Sequence, residues 1–344
     1  MLLKVLGTAA GGGVPQWNCA CRGCAGARAH PERRRRHASL AVEAAPGRWY
    51  VINATPDLAD QIERCPALHP RPVPHSGPVP GAHPVPHSGP APGPHPGPVT
   101  GPPVTGPPVP GPGPRRTPIA GVVLTDAELD HTLGLARLRE AEGFEVIATD
   151  PVRDAVRDRQ RLGELLAPYT DVTWRPLPLP GSPDEPLLPG SSVHAGAVPV
   201  SGKRPRYAAA APRRAPRDAP WVTALRLTDR ATGRSLVYAP ALGAWPDELH
   251  AALAEADCVI VDGTFWDDAE PRATGCSDLT ATAMGHLPIT GPDGTAQRLA
   301  GLPGRRLYTH LNNTNPLVDP DAPQHKELIR LGVEVASDGM EIVL

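Results

Sequence analysis

Ile119-Ala-Gly-Val-Val-Leu124 followed by Thr125-Asp-Ala-Glu-Leu-Asp-His131 is the stretch on which the reading of this chain turns. A short apolar run bounded by polar residues predicts a buried strand. The residues just after it set three acids and an imidazole at that strand's mouth. Asp126, Glu128 and Asp130 alternate along the chain, and His131 comes next. Oxygen and imidazole donors at this density suit a divalent cation.

Other strand ends carry polar clusters of the same kind. Val261-Asp262-Gly-Thr264 ends an apolar run in an acid, which is costly to bury unless donors or a cation meet it. Tyr308-Thr-His310-Leu-Asn312-Asn313-Thr-Asn315 follows another run with a histidine and three asparagines. Asn53-Ala-Thr-Pro-Asp57 closes a third, where Asp57 could equally brace a turn. His131 and His310 with Asp130 or Asp126 would make two imidazoles and one carboxylate. That set suits a non-haem ferrous centre with open positions, whereas dinuclear hydrolytic zinc wants more imidazoles. The loop Gly7–Gly13 lacks the spacing of a phosphate cradle and reads as a close backbone approach.

Cys19, Cys21 and Cys24 place three thiols within six residues, beside Gly23. Thiolates so close can wrap one tetrahedral zinc, which then needs a fourth ligand from elsewhere; His286 and His37 are candidates. Cys65, Cys258 and Cys276 stand alone.

The remaining pattern alternates short strands with helices and predicts an α/β or α+β layered sandwich. Strands are expected at Leu2–Gly7, Ser39–Val42, Trp49–Asn53, Ile119–Leu124, Glu145–Ala148, Val193–Val198, Thr223–Leu227, Ser235–Ala239, Cys258–Asp262 and Arg306–His310. Glu334–Ala336 and Glu341–Leu344 read as a closing hairpin. Helices are expected at Pro56–Arg64 (capped by Thr55), His131–Glu140 and Pro246–Ala256. Residues 1–344 read as one domain interrupted by a low-complexity insert at 66–114. There 20 of 49 residues are proline and Val-Pro-His-Ser-Gly-Pro occurs twice, a composition that cannot form ladders or a core. Disorder or polyproline II is expected for it.

Thirty-four basic and 36 acidic residues leave a net charge of −2, which points to neither nucleic acid nor a membrane surface. Arg33–Arg36 reads as a solvated turn. No apolar run approaches the roughly 18 residues of a membrane span, and Met1–Leu6 is too short for a signal segment. A cytoplasmic protein is expected, whose six cysteines serve metal or structure before disulfides.

The blocks Leu6–Cys19, Asn53–Asp57, Leu124–Thr132, Val261–Thr264, Met284-Gly-His286 and His310–Pro316 resemble, in order along the chain, the signatures of the pyrroloquinoline quinone (PQQ) biosynthesis protein B family. The resemblance implies a metallo-β-lactamase-like four-layer αββα sandwich. Residues 125–131 keep the frame Thr-His-x-His-x-Asp-His of that fold, with both leading histidines replaced by carboxylates. It also implies a role in making PQQ from the precursor peptide PqqA. The partner would be a small PqqA-derived intermediate, with no nucleic acid or membrane, and a homodimer is compatible. Two activities are implied as alternatives: an iron-dependent oxygenase (an oxidoreductase) that hydroxylates the tyrosine-derived ring of the Glu–Tyr intermediate, or a carrier of PQQ or its precursor toward the periplasm. The family frame carries the active-site metal, expected as Fe2+, onto Asp126, Glu128, Asp130, His131 and His310. Asp262 and Asn312 would orient ligands or substrate. A related phosphodiesterase with three clustered cysteines and a distant histidine implies Cys19, Cys21, Cys24 and His286 as a structural Zn2+ set. Pro240 stands where hydrolases of the fold carry a bridging aspartate, and no histidine lies near 198–202, so a hydrolase is disfavoured.

Overall fold

Apolar alternation bounded by Gly, Pro and polar turns builds two seven-stranded sheets. The computed structural model describes residues 1–70, 117–209 and 220–344. The first sheet draws on β1 (Leu2–Gly7), β2 (Ser39–Ala45), β3 (Arg48–Ile52), β4 (Ile119–Val123), β5 (Gly143–Ala148) and β6 (Asp171–Pro176). The second holds β7 (Glu185–Pro186), β8 (Val193–Ser201), β9 (Val222–Asp229), β10 (Arg234–Ala239), β11 (Cys258–Asp262), β12 (Arg305–Thr309) and β13 (Glu334–Val335). The last strand, β14 (Glu341–Val343), returns to the first sheet beside β1. The spatial orders are β14-β1-β2-β3-β4-β5-β6 and β13-β12-β11-β10-β9-β8-β7.

Leu3, Leu40, Tyr50 and Ile52 of one sheet meet Leu225, Leu227, Tyr238, Ile260 and Leu307 of the other in a common apolar layer. Each such aliphatic side chain, fully buried, contributes about 1.5–3 kcal/mol over exposure. The outer face of the first sheet packs on the helices at Leu58–Glu63 and Asp150–Leu166, and that of the second on Asp247–Glu255, Thr295–Ala300 and Gln324–Arg330. The result is the expected four-layer αββα sandwich. β3, β4, β5 and β6 run parallel, as do β10, β11, β12 and β13. The loops after β1, β4, β11 and β12 gather at one edge of the sandwich, and the site lies there.

Several local expectations differ. The supposed closing hairpin does not form, since β13 pairs with β12 and β14 with β1. Asp57, not Thr55, stands at the cap of the helix Leu58–Glu63, because Thr55 Oγ1 donates to the Asp57 carboxylate. Residues 129–138 form a four-residue helix and then a 3-10 segment rather than one helix. There a Cβ on Gly134 would stand 2.1 Å from the Thr55 carbonyl oxygen, so this backbone is pressed against its neighbour. Arg33–Arg36 is no solvated turn: Arg33 pairs with Asp319 and Asp321, and Arg35 reaches the Ala336 carbonyl. Residues 66–70 belong to the fold, with Pro66–Leu68 a 3-10 turn that buries Leu68. The insert from 71 onward lies outside the described residues.

Candidate metal centre

His131 sits on the short helix Leu129–Thr132 directly after β4, and its ring is buried. Asp126 lies behind it, with Oδ2 2.7 Å from His131 Nδ1. The same carboxylate accepts the Glu128 amide and the Thr125 hydroxyl. Asp126 thus backs the imidazole, and it lies outside the group of close-set donor atoms formed by Asp130, His131 and His310. A ring that gives its Nδ1 proton to a carboxylate presents a more basic Nε2. That Nε2 is buried without any hydrogen-bond partner and lies 3.9 Å from Asp130 Oδ2. An unpartnered buried nitrogen facing a carboxylate calls for a partner between them, and a cation would serve.

The third donor arrives from the far end of the chain. His310 follows β12 and holds a left-handed backbone (φ 59°), which costs a non-glycine residue about 1–3 kcal/mol and persists only where the surroundings impose it. Here the Leu311 amide bonds to the Thr8 carbonyl and the Asn312 amide to that of Thr264. His310 Nε2 lies 3.3 Å from Asp130 Oδ2, and its ring packs edge-on against His131 at 5.3 Å. Ligand atoms of Asp130, His131 and His310 all fall within 4.8 Å of one another. Two imidazoles and one carboxylate thus share a face, and they fit a divalent cation. Glu128 is not in this set; it lines the cleft instead.

Asp262 is fully buried at the end of β11. Its carboxylate accepts the Leu242 and Thr264 amides, each at 2.8 Å, and the Thr264 hydroxyl. It also lies 2.6 Å from His286 Nδ1. Thr264 Oγ1 in turn meets His310 Nδ1 at 2.8 Å. Asp262 therefore positions two histidines without reaching the cleft. This placement corrects the expected zinc ligand. His286 stacks on His310 with ring centroids 5.7 Å apart and belongs to this centre, not to the cysteines. Nor does His37 join them, since its ring faces Asp57 and the Gly11 carbonyl. The resemblance to a phosphodiesterase sets His286 with the cysteines, whereas a lone histidine after a helix carries no sign of its own partner.

Charge follows from this geometry. Burial works against a charged His131 ring, but Asp126 and Asp130 outweigh it and lift its pKa to about 9. Burial likewise opposes ionised Asp130 and Asp262, and the neighbouring histidines hold both below the usual carboxylate range. Burial and the Asp126 charge push Glu128 up. A cation at Nε2 must displace the His131 proton. Metal affinity should therefore rise about tenfold per unit from pH 7 to about 9 and level off above, as titration calorimetry with Co2+ would show. A flat profile over that range would exclude His131 as a protonated ligand.

The centre opens into a cleft of about 670 Å3, whose lining includes Lys203, Arg204, Arg206 and Tyr207. The Tyr207 hydroxyl donates to the Ala127 carbonyl at 2.7 Å and ties this segment to the loop carrying His131. Arg204 lies over the Trp221 ring at 5.2 Å. None of the three cations pairs with a carboxylate among the described residues. Asn312 also faces the cleft, its amide bonded to Thr314.

Known proteins resemble the chain in sequence and in fold. Residues 90–310 match the family model described as a β-lactamase superfamily domain. Coenzyme PQQ synthesis protein B of Azoarcus sp. (strain BH72) is 37% identical over 349 residues, and that of Cupriavidus necator 38% over 347, with 99–100% of each chain covered. The chain belongs to the coenzyme PQQ synthesis protein B family. Zinc-bound PqqB from Methylobacterium extorquens superposes with a TM-score of 0.78 at 30% identity, over 100% of both chains. A diphosphatase of the PhnP family (TM-score 0.60, 16% identity) shares the fold. Among the described residues, no helix is long and apolar enough to cross a membrane.

Cys19, Cys21 and Cys24 form a separate group, their sulfurs within 4.8 Å of one another, and all are free thiols. Burial pushes the Cys24 thiol up to about 12. Cys21 is partly buried, yet hydrogen bonds from the Cys24 amide and Asn313 bring its pKa below the ordinary thiol value.

Proposed function

We propose that this member of the PqqB family is a ferrous, oxygen-dependent hydroxylase of PQQ biosynthesis, acting on the tyrosine-derived ring of the PqqA-derived Glu–Tyr intermediate. The observation that carries the reading is the unpartnered His131 Nε2 facing Asp130 and His310 at the floor of an open cleft. Two imidazoles and a carboxylate on one face leave positions free for small ligands and suit ferrous iron. Iron, when bound, supplies the electron chemistry that dioxygen requires. The protein's own part is positioning. Asp126 fixes the His131 tautomer, while Thr264 and Asp262 fix His310. Lys203, Arg204 and Arg206, which line the same cleft, offer cations to substrate carboxylates. One oxygen atom enters the ring and the other leaves as water, with two electrons drawn from an external reductant.

Anaerobic loading with Fe2+, followed by oxygen, ascorbate and the cross-linked Glu–Tyr intermediate, tests this directly. Oxygen uptake matching the formation of hydroxylated product is expected. Tight binding of PQQ with no oxygen uptake would instead establish the carrier reading.

A further inference from the structure

We propose that Glu270 is a positioning residue that acts through Thr314 to present the oxygen end of the Asn312 amide to the cleft, so that the cleft selects a guest carrying a hydroxyl donor. The guest's identity rests on the proposed hydroxylation; the presentation of the amide does not. Three hydrogen bonds form the relay. Asn312, which lines the cleft, donates from Nδ2 to Thr314 Oγ1 at 2.6 Å. Thr314 Oγ1 donates to Glu270 Oε1, also at 2.6 Å. The Trp266 amide donates to the other carboxylate oxygen, Glu270 Oε2, at 2.6 Å. Glu270 opens the short helix Glu270–Ala273, is only 5% exposed, and stands outside the group formed by Asp130, His131 and His310. A carboxylate so deeply placed is costly unless its hydrogen bonds are kept.

Proton counting fixes the direction of the relay. An ionised carboxylate only accepts, and a hydroxyl has one proton. Thr314 therefore spends its proton on Glu270, and its oxygen can only accept from Asn312. The two ends of an amide are alike in shape, so the partner's proton decides which end meets Thr314. The NH2 end does, and Oδ1, which meets no protein donor among the described residues, is left to the guest. A neutral Glu270 would reverse both side-chain bonds. The Trp266 amide holds Oε2, so an added proton goes to Oε1. Thr314 would then accept from Glu270 and donate onward, and Asn312 would turn its oxygen inward and its NH2 group to the cleft. Burial, helped by the Asp267 charge, pushes Glu270 up to about 7 against the bonds from Thr314 and Trp266, and no cation pairs with it among the described residues. Both polarities are thus reachable near neutral pH.

The chain has five asparagines, so a 15N-asparagine spectrum of the full chain with excess Zn2+ is sparse, and Asn312→Ser identifies the side-chain pair. As pH falls from about 8.5 to about 6, that pair should shift and exchange faster with water, with a midpoint near 7, as its NH2 group leaves Thr314 for the cleft. This readout needs no further variant to fold. Glu270→Gln should hold the low-pH pattern throughout, because the Trp266 amide takes its oxygen and its NH2 group donates to Thr314 as a neutral acid would. Thr314→Val should abolish the transition, and Thr314→Ser should restore it. Binding of para-hydroxyphenylpropionate and its methyl ether then reads selectivity. At about pH 8.5 the preference for the phenol should be about fivefold greater in wild type than in Glu270→Gln, the worth of one net hydrogen bond. Asn312 signals that do not move in wild type, or a transition that survives in Glu270→Gln, would overturn the relay. Equal phenol preference in the two proteins would overturn the selection of a hydroxyl. Absence of product from the iron-loaded enzyme would bear on hydroxylation alone, since neither readout involves oxygen.

Discussion

Replacing His131 by alanine should strip the cation from the centre and abolish turnover. Residues that merely orient a metal ligand change affinity by about 10–100-fold when lost. His131 is argued to be a ligand itself, so metal affinity should fall by more than about 100-fold, beyond the effect of Asp126→Asn. The change also strands Asp126 and Asp130, two carboxylates brought together around one imidazole. Breaking such a buried pair costs about 3–5 kcal/mol, so the metal-free variant should melt well below wild type. His131→Gln returns a donor to Asp126 and should recover part of the stability while remaining metal-poor. Retention of stoichiometric metal by either variant, read by elemental analysis after dialysis, would remove His131 from the ligand set.

Asp262→Ala should be the most damaging single change away from the metal. The buried carboxylate accepts two backbone amides and a hydroxyl and faces the partly exposed His286 ring. Deleting it leaves those donors unsatisfied, and each lost partner of a buried polar group costs about 1–3 kcal/mol. A total of about 3–5 kcal/mol is expected from urea unfolding of the metal-free protein. Because Thr264 and Asp262 jointly hold His310, metal affinity should drop as well, though less than for His131→Ala. A variant within about 0.5 kcal/mol of wild type would show that the network around β11 does not brace the centre, since changes that small are typical of surface sites.

Much of the layered architecture is legible because apolar runs such as Cys258–Asp262 have one plausible fate, and the strand positions follow from them. β13 and β14 read as a hairpin because local pattern says nothing of which sheet a strand joins. β6 escapes notice, since Asp171–Pro176 buries none of its side chains fully. At the site, Asp130, His131 and His310 can be named from density of donors at strand ends. The division of labour within 126–131 cannot. Whether a carboxylate binds a cation or backs an imidazole depends on a rotation of the chain that only the short helix at Leu129–Thr132 decides. His286 is the hardest to assign, because it works through a partner distant in sequence and carries no local signature.

The cleft that exposes the three ligands is also lined by Lys203, Arg204 and Arg206, none of which pairs with a carboxylate among the described residues. A guest that carries carboxylates can neutralise those cations without displacing any internal ion pair, so its entry costs the fold nothing in broken salt bridges.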